Sequence, residues 1–158
     1  MAFALRPAGD DDRALLLAIY ASTRVEELSV TGWSDEAKAA FLAQQFAAQD
    51  SHYRLHHPDA SYDVITVGGE PAGRLYVERG ERQILLVDVA LLPGFRGRGV
   101  GTAVLRQVMA EADAAGKVLS IHVEKTNRAQ SLYARHDFAA VADHGVYLLL
   151  QRQPITAS

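Results

Sequence analysis

The pattern of hydrophobic and polar positions along the chain turns from mainly helical to mainly strand-like near residue 62. Before that point residues 2–6 alternate, with Phe3 and Leu5 on one side, and predict a short first strand. Asp10 to Asp12 then offer an N-cap and favourable dipole charges for a helix carrying Leu15, Leu16, Ile19 and Tyr20. Ser34, Asp35 and Glu36 open a second helix, with Phe41, Leu42 and Phe46 as its apolar stripe. Between them, Arg24 to Trp33 has no clear period.

From residue 62 the pattern is that of strands. Tyr62–Val67, a Gly68-Gly69 turn and Ala72–Glu78 read as a hairpin. Gly80 marks the next turn, and Ile84–Leu91 is a strand that Pro93-Gly94 ends. Val104, Leu105, Val108, Met109 and Ala112 repeat at helical spacing, with Gly116 placed to end that helix. Val118–Val123 is a further strand, Asn127 caps a helix carrying Ala129, Leu132 and Tyr133, and Phe138–Ala142 with Val146–Leu150 form a closing pair. No repeat, linker or low-complexity tract divides the chain. Residues 1–158 read as one α/β domain, mostly antiparallel, with a β–α–β unit in the second half.

Composition narrows what such a domain does. With 158 residues, 49% of them hydrophobic and 22% charged, the chain can build one well-filled core. Sixteen basic and nineteen acidic side chains leave a net charge of −3, which argues against bulk electrostatic binding of nucleic acid. Cysteine is absent, so disulfides, thiolate metal sites and cysteine nucleophiles are excluded. No signal peptide is readable and no apolar run approaches the ~20 residues a bilayer demands, so a cytoplasmic protein without a membrane partner is expected. His52, His56 and His57 have the spacing of a metal pair but lack the glutamate of H-E-x-x-H, and no metal is expected there. A serine hydrolase is set aside because no G-x-S-x-G is present.

The informative stretch is Arg96-Gly97-Arg98-Gly99-Val100-Gly101, followed by Thr102. It lies after a strand and before a helix, where free backbone N–H groups and the helix dipole hold a phosphate. Its glycines let the backbone approach an anion, and Arg96 and Arg98 add positive charge. The G-x-G-x-G spacing is not the G-x-G-x-x-G of a dinucleotide fold, and the lysine of a P-loop is missing.

Arg96-x-x-Gly99-x-Gly101 resembles the Q/R-x-x-G-x-G/A signature of the GNAT superfamily of acyl-CoA-dependent N-acetyltransferases. Val89 to Pro93 resembles the strand and proline that lead into that loop. Asn127-Arg-Ala-Gln-Ser-Leu-Tyr133 with Phe138 is similar to the family's N-x-A-x-x-L-Y-x-x-x-G-F segment, with Asp137 where glycine is usual. The resemblance follows the order of elements over nearly the whole chain. It implies an α+β fold with a mostly antiparallel sheet of six to seven strands, about four flanking helices, and splayed fourth and fifth strands. It also implies acetyl-CoA as co-substrate, its pyrophosphate on residues 96–102. The pantetheine arm would lie along Val89, Ala90 and Leu91, with Asn127 hydrogen-bonded to it.

For the chemistry, the resemblance gives Tyr133 the role of acid to the departing thiolate. Ser120, His122 and Glu124 share one strand face by two-residue periodicity, and some family members carry a glutamate base at the position of His122. An imidazole titrates near pH 6.5, which suits a base at neutrality. His122 is therefore the candidate base, with Asp88 and Glu124 behind it. The acceptor expected is a small-molecule or peptide amine, bound near Arg24, Glu26, Glu27 and Trp33, with the three histidines at a surface or at the acceptor mouth. A silent acyl-CoA-binding sensor is the alternative function. Homodimers are common in the family, and this chain fixes no oligomeric state.

Overall fold

A computed structural model describes residues 2–127 and 129–155. Seven strands form one sheet: β1 (Ala4–Pro7), β2 (Ser61–Val67), β3 (Glu70–Arg79), β4 (Gln83–Leu91), β5 (Val118–Glu124), β6 (Ala139–His144) and β7 (Tyr147–Arg152). Their order across the sheet is β1-β2-β3-β4-β5-β7-β6. Among the described strands only β4 and β5 run parallel, joined through the helix α4 (Val100–Ala115), and the other pairs are antiparallel.

Local chemistry accounts for most of these elements. The β2–β3 hairpin turns on Gly68 and Gly69, both at positive φ (59° and 81°), as a two-residue type I′ connection demands. Gly116 closes α4 in the left-handed conformation, its N–H bonded back to the carbonyls of Ala112 and Asp113. Asp137, the departure noted above, sits at φ 69°, the only non-glycine residue at positive φ among those described. It follows α5 (Gln130–Arg135), where the chain must pass through the left-handed region to send the Phe138 N–H back to the Tyr133 carbonyl.

Some expectations need correction. The aspartate run forms a 3-10 turn, Asp10–Asp12, ahead of α1 (Arg13–Ser22), and Asp12 does not cap forward. Its carboxylate reaches back to the Gly9 N–H (2.8 Å) and to both terminal nitrogens of Arg6 (2.8 and 2.9 Å), satisfying groups before the helix. Asn127 is likewise not the cap of α5. Its Oδ1 accepts from the Ala129 N–H at 2.8 Å, a local Asx turn, and Ala129 precedes the first helical residue. Five α-helices are present among the described residues, the addition being α2 (Val25–Ser29) in the stretch without a period.

The sheet separates two cores. On one face α4 and α5 cover Ile84, Leu86, Leu119, Ile121, Val123 and Leu150 with Val104, Leu105, Val108 and Tyr133. On the other, α1 and α3 (Asp35–His56) pack Leu16, Ile19, Tyr20 and Phe46 against Ala90 and Leu92. Ser34 caps α3, accepting from the Ala37 N–H at 3.1 Å.

Candidate active site

The parallel ladder between β4 and β5 ends early. Its register runs from Gln83 opposite Val118 to Leu86 opposite Ile121, yet β4 continues to Leu91 and β5 to Glu124. Each strand remains paired on its outer side, Asp88–Leu91 with β3 and His122–Glu124 with β7. The two strands therefore part with their facing edges unpaired. A bulge at this point contributes, because Tyr76 pairs with Asp88 and Val77 with Leu86, leaving Val87 as an extra residue on β4. The extra residue also reverses the pleat. Ile84 and Leu86 enter the main core before it, and Val89 and Leu91 pack there after it. Asp88 and Ala90 are thereby turned toward α1 and α3.

At the end of β4 the chain passes through a 3-10 turn, Pro93–Phe95, into the glycine loop. Gly97 and Gly99 lie at φ 70° and 83°, and a Cβ on either would meet no atom within 4 Å. The first bond of α4 runs from the Ala103 N–H to the Gly99 carbonyl at 3.0 Å. The amides of Val100, Gly101 and Thr102 precede it and, as at any helix start, have no acceptor within the helix. The Val100 side chain is fully buried in the main core and anchors that start. Arg98 donates to the Gly94 carbonyl at 3.2 Å and lies over the Phe95 ring.

Arg96, at the start of the loop, makes its hydrogen bonds within the protein. Its Nε donates to the Leu91 carbonyl at 3.0 Å, and a terminal nitrogen reaches the Ser22 carbonyl and hydroxyl at 3.3 and 3.2 Å. It ties the end of β4 to the end of α1. The Leu91 carbonyl is thus the point at which Arg96 holds the end of β4.

Tyr133 is buried, with its ring edge-on to Phe138 at 5.5 Å. Burial first, and the negative charge of Asp88 second, push its phenol up to about 12. His122 lies on the opposite sheet face, exposed, between the core residues Ile121 and Val123. Its ring stands 6.0 Å from that of His144. Partial desolvation, then the charges of His144 and His57, hold its pKa below the ordinary imidazole value. Glu124 is half-buried and makes a loose contact with Arg24 at 3.8 Å, while Arg24 pairs with Glu27 at 2.8 Å. His57, the residue just after α3, holds Glu78 through Nδ1 at 3.1 Å; His52 and His56 stack on the last turns of the helix at 4.3 Å. Trp33 stacks edge-on against Phe41 at the start of α3, at 5.3 Å.

A polar cluster beside the parted strands was missed from sequence. Asp88 accepts from Arg74 at 2.5 Å and from the Tyr53 hydroxyl at 3.2 Å, and Arg74 also donates to Gln49 at 2.9 Å. Arg74 is only 2% exposed. Its Nε and the Tyr76 hydroxyl are buried without a hydrogen-bond partner among the described residues. Burial and the neighbouring Asp88 drive the Tyr53 phenol far above its usual range. The available signal was Arg74 itself, one charge inside an otherwise apolar strand. Its partner lies 14 residues away on the next strand and depends on the register.

The sequence model of the acetyltransferase (GNAT) family matches residues 21–138. Among solved structures, the PaiA N-acetyltransferase of Thermoplasma acidophilum in complex with coenzyme A shares 13% identity, with 97% of this chain and 99% of that one covered at a TM-score of 0.71. An acetyltransferase of Thermus thermophilus shares 19% identity, with 97% of each chain covered, also at 0.71. At such identities the likeness carries the fold. No curated protein matches the sequence.

Proposed function

Because the chain belongs to the GNAT family of acetyltransferases, we propose that it is an N-acetyltransferase moving the acetyl group of acetyl-CoA directly to a primary amine of a small molecule or peptide. The observation that carries this reading is the early end of the β4–β5 ladder at Leu86 and Ile121, with the glycine loop at the exit of β4. An unpaired strand edge accepts an extended, amide-bearing chain such as pantetheine. The open space over Gly97 and Gly99, and the free amides at the start of α4, suit a pyrophosphate. Val89, Ala90 and Leu91 would hold the arm, residues 96–102 the phosphates, and Asn127 the far side of the arm.

Bound there, acetyl-CoA supplies its acetyl group as a thioester. The chain's own groups do the rest. With its pKa near 12, Tyr133 stays protonated at neutral pH and can give its proton to the departing sulfur. His122, with its lowered pKa, is neutral at pH 7 and can take the proton of the attacking amine. Asp88 is engaged by buried Arg74 and by the Tyr53 hydroxyl, and is given no part in the transfer. The absence of cysteine agrees with direct transfer, since no thiol is available to carry the acetyl group.

The test is turnover of acetyl-CoA against a panel of small amines and peptide N-termini, followed by thiol release and product mass. Release matched by an acetylated amine supports the proposal. Tight acetyl-CoA binding with no transfer to any amine would overturn it in favour of a silent acyl-CoA sensor.

A further inference from the structure

At the end of α1 away from Ser22 lies a cavity of about 510 Å³ between the Asp10–Asp12 turn and α3. A helix of ten residues is about 15 Å long, so this cavity is roughly that far from the contact between Ser22 and Arg96. Its floor is apolar and firmly built, with Leu16 and Phe46 both buried. Its walls carry Arg13, Asp50, Arg54 and Asp10. The volume falls within the range of small-molecule sites, ~300–1,000 Å³.

The two guanidinium groups are held in place and yet largely unspent. Arg13 lies over the Phe46 ring at 5.3 Å, and Arg54 over the Tyr62 ring at 3.8 Å. Aromatic faces hold a guanidinium plane and leave its N–H edge free. Both approach Asp50, at 3.7 and 3.6 Å, beyond hydrogen-bonding distance. Among the described residues neither arginine donates a hydrogen bond. Asp50 is the less exposed group, at 19%, so two positive charges converge on one recessed carboxylate. The centre carries a surplus positive charge, and Asp10 adds a negative one at the rim.

We infer that this cavity binds a small zwitterion, a free α-amino acid with an apolar side chain. Its carboxylate would take the unused N–H edges of Arg13 and Arg54, bidentate geometry that guanidinium groups favour. Its ammonium group would meet Asp50 and Asp10, and its side chain would lie on Leu16 and Phe46. A simple anion would leave the two carboxylates without a new partner, and a simple amine would leave the arginines so. α3 also carries Gln49 and Tyr53, which hold Arg74 and Asp88. An occupant of this cavity is therefore linked to the parted strands through one helix.

The site is separate from the proposed donor and acceptor sites, and it is tested by binding alone. Free amino acids, propionate and propylamine are titrated into the full chain while backbone amide NMR shifts are followed. The expected result is saturable shifts for at least one apolar amino acid around residues 9–16 and 46–54, with propionate and propylamine at least tenfold weaker. Arg54→Gln should weaken that binding at least tenfold without altering the overall amide spectrum. Arg13→Gln is a second variant with the same expectation. Shifts confined to the surroundings of His122 and Glu124, equal binding of propionate, or undiminished binding by both variants would overturn the inference.

Discussion

Tyr133 and His122 sit on opposite faces of the sheet, and their surroundings push their proton affinities in opposite directions. Burial makes the phenol harder to ionise, while partial desolvation and two neighbouring imidazoles make His122 harder to protonate. Tyr133→Phe is expected to lower kcat by ~10²–10³-fold, at the lower end for a lost general acid, and to leave acetyl-CoA affinity nearly unchanged. Steady-state kinetics beside calorimetric binding separates the two quantities, and wild-type turnover would reduce Tyr133 to a packing residue. For His122 the sign follows from its role as acceptor. Only the neutral ring takes a proton, so kcat/KM falls as pH drops through its pKa, which lies below the ordinary value of about 6.5. His122→Gln should remove that acidic limb and lower the rate. A variant that keeps both would pass the role to Glu124 or to water.

At the scale of elements, the close approach of β3 and β4 depends on Gly73. A Cβ there would lie 2.2 Å from the Ala90 carbonyl oxygen and 3.0 Å from the Leu91 Cα, both backbone atoms that cannot swing aside. Gly73→Ala is expected to cost about 1–3 kcal/mol, as overpacking does, and to weaken acetyl-CoA binding by displacing Ala90 and Leu91. Thermal melts and calorimetry check both effects; an unchanged pair would mean that β4 shifts freely. Asp88 ties β3, β4 and α3 together through Arg74 and Tyr53. Asp88→Ala leaves a buried guanidinium without its counter-charge, and a loss of about 3 kcal/mol is expected in denaturant unfolding. Stability within 1 kcal/mol of wild type would show that Gln49 and water suffice.

Elements whose cause is local were legible in the sequence. Gly68-Gly69 dictates its hairpin, Ser34 its helix start, and the apolar spacing of residues 104–112 its helix. The five-residue helix α2 was not, because only Leu28 in it is buried and it has no period to read. The pairing of Arg74 with Asp88 depends on strand register, and the posture of Arg96 on a contact with Ser22 74 residues away. The glycine loop and Tyr133 were visible through their resemblance to family segments, which composition and period alone would not have supplied.

At the scale of the whole molecule, two cores on opposite faces hold strands β4 and β5, which part beyond Leu86 and Ile121. Helices α4 and α5 draw one side together, and α1 and α3 the other. The proposed donor groove therefore runs through the middle of the fold, with a proton donor on one face and an acceptor on the other. No helix of the described residues is long and apolar enough to cross a membrane. The measurement that tests this account most directly is an acetyl-CoA titration followed through backbone amide NMR shifts. Wild-type protein should show saturable shifts at residues 89–91, 97–102 and 121–123, and Gly99→Asp, whose side chain must occupy a left-handed position in the loop, should show none. Equal binding by Gly99→Asp, or shifts that leave the loop and the parted strands unmoved, would contradict it.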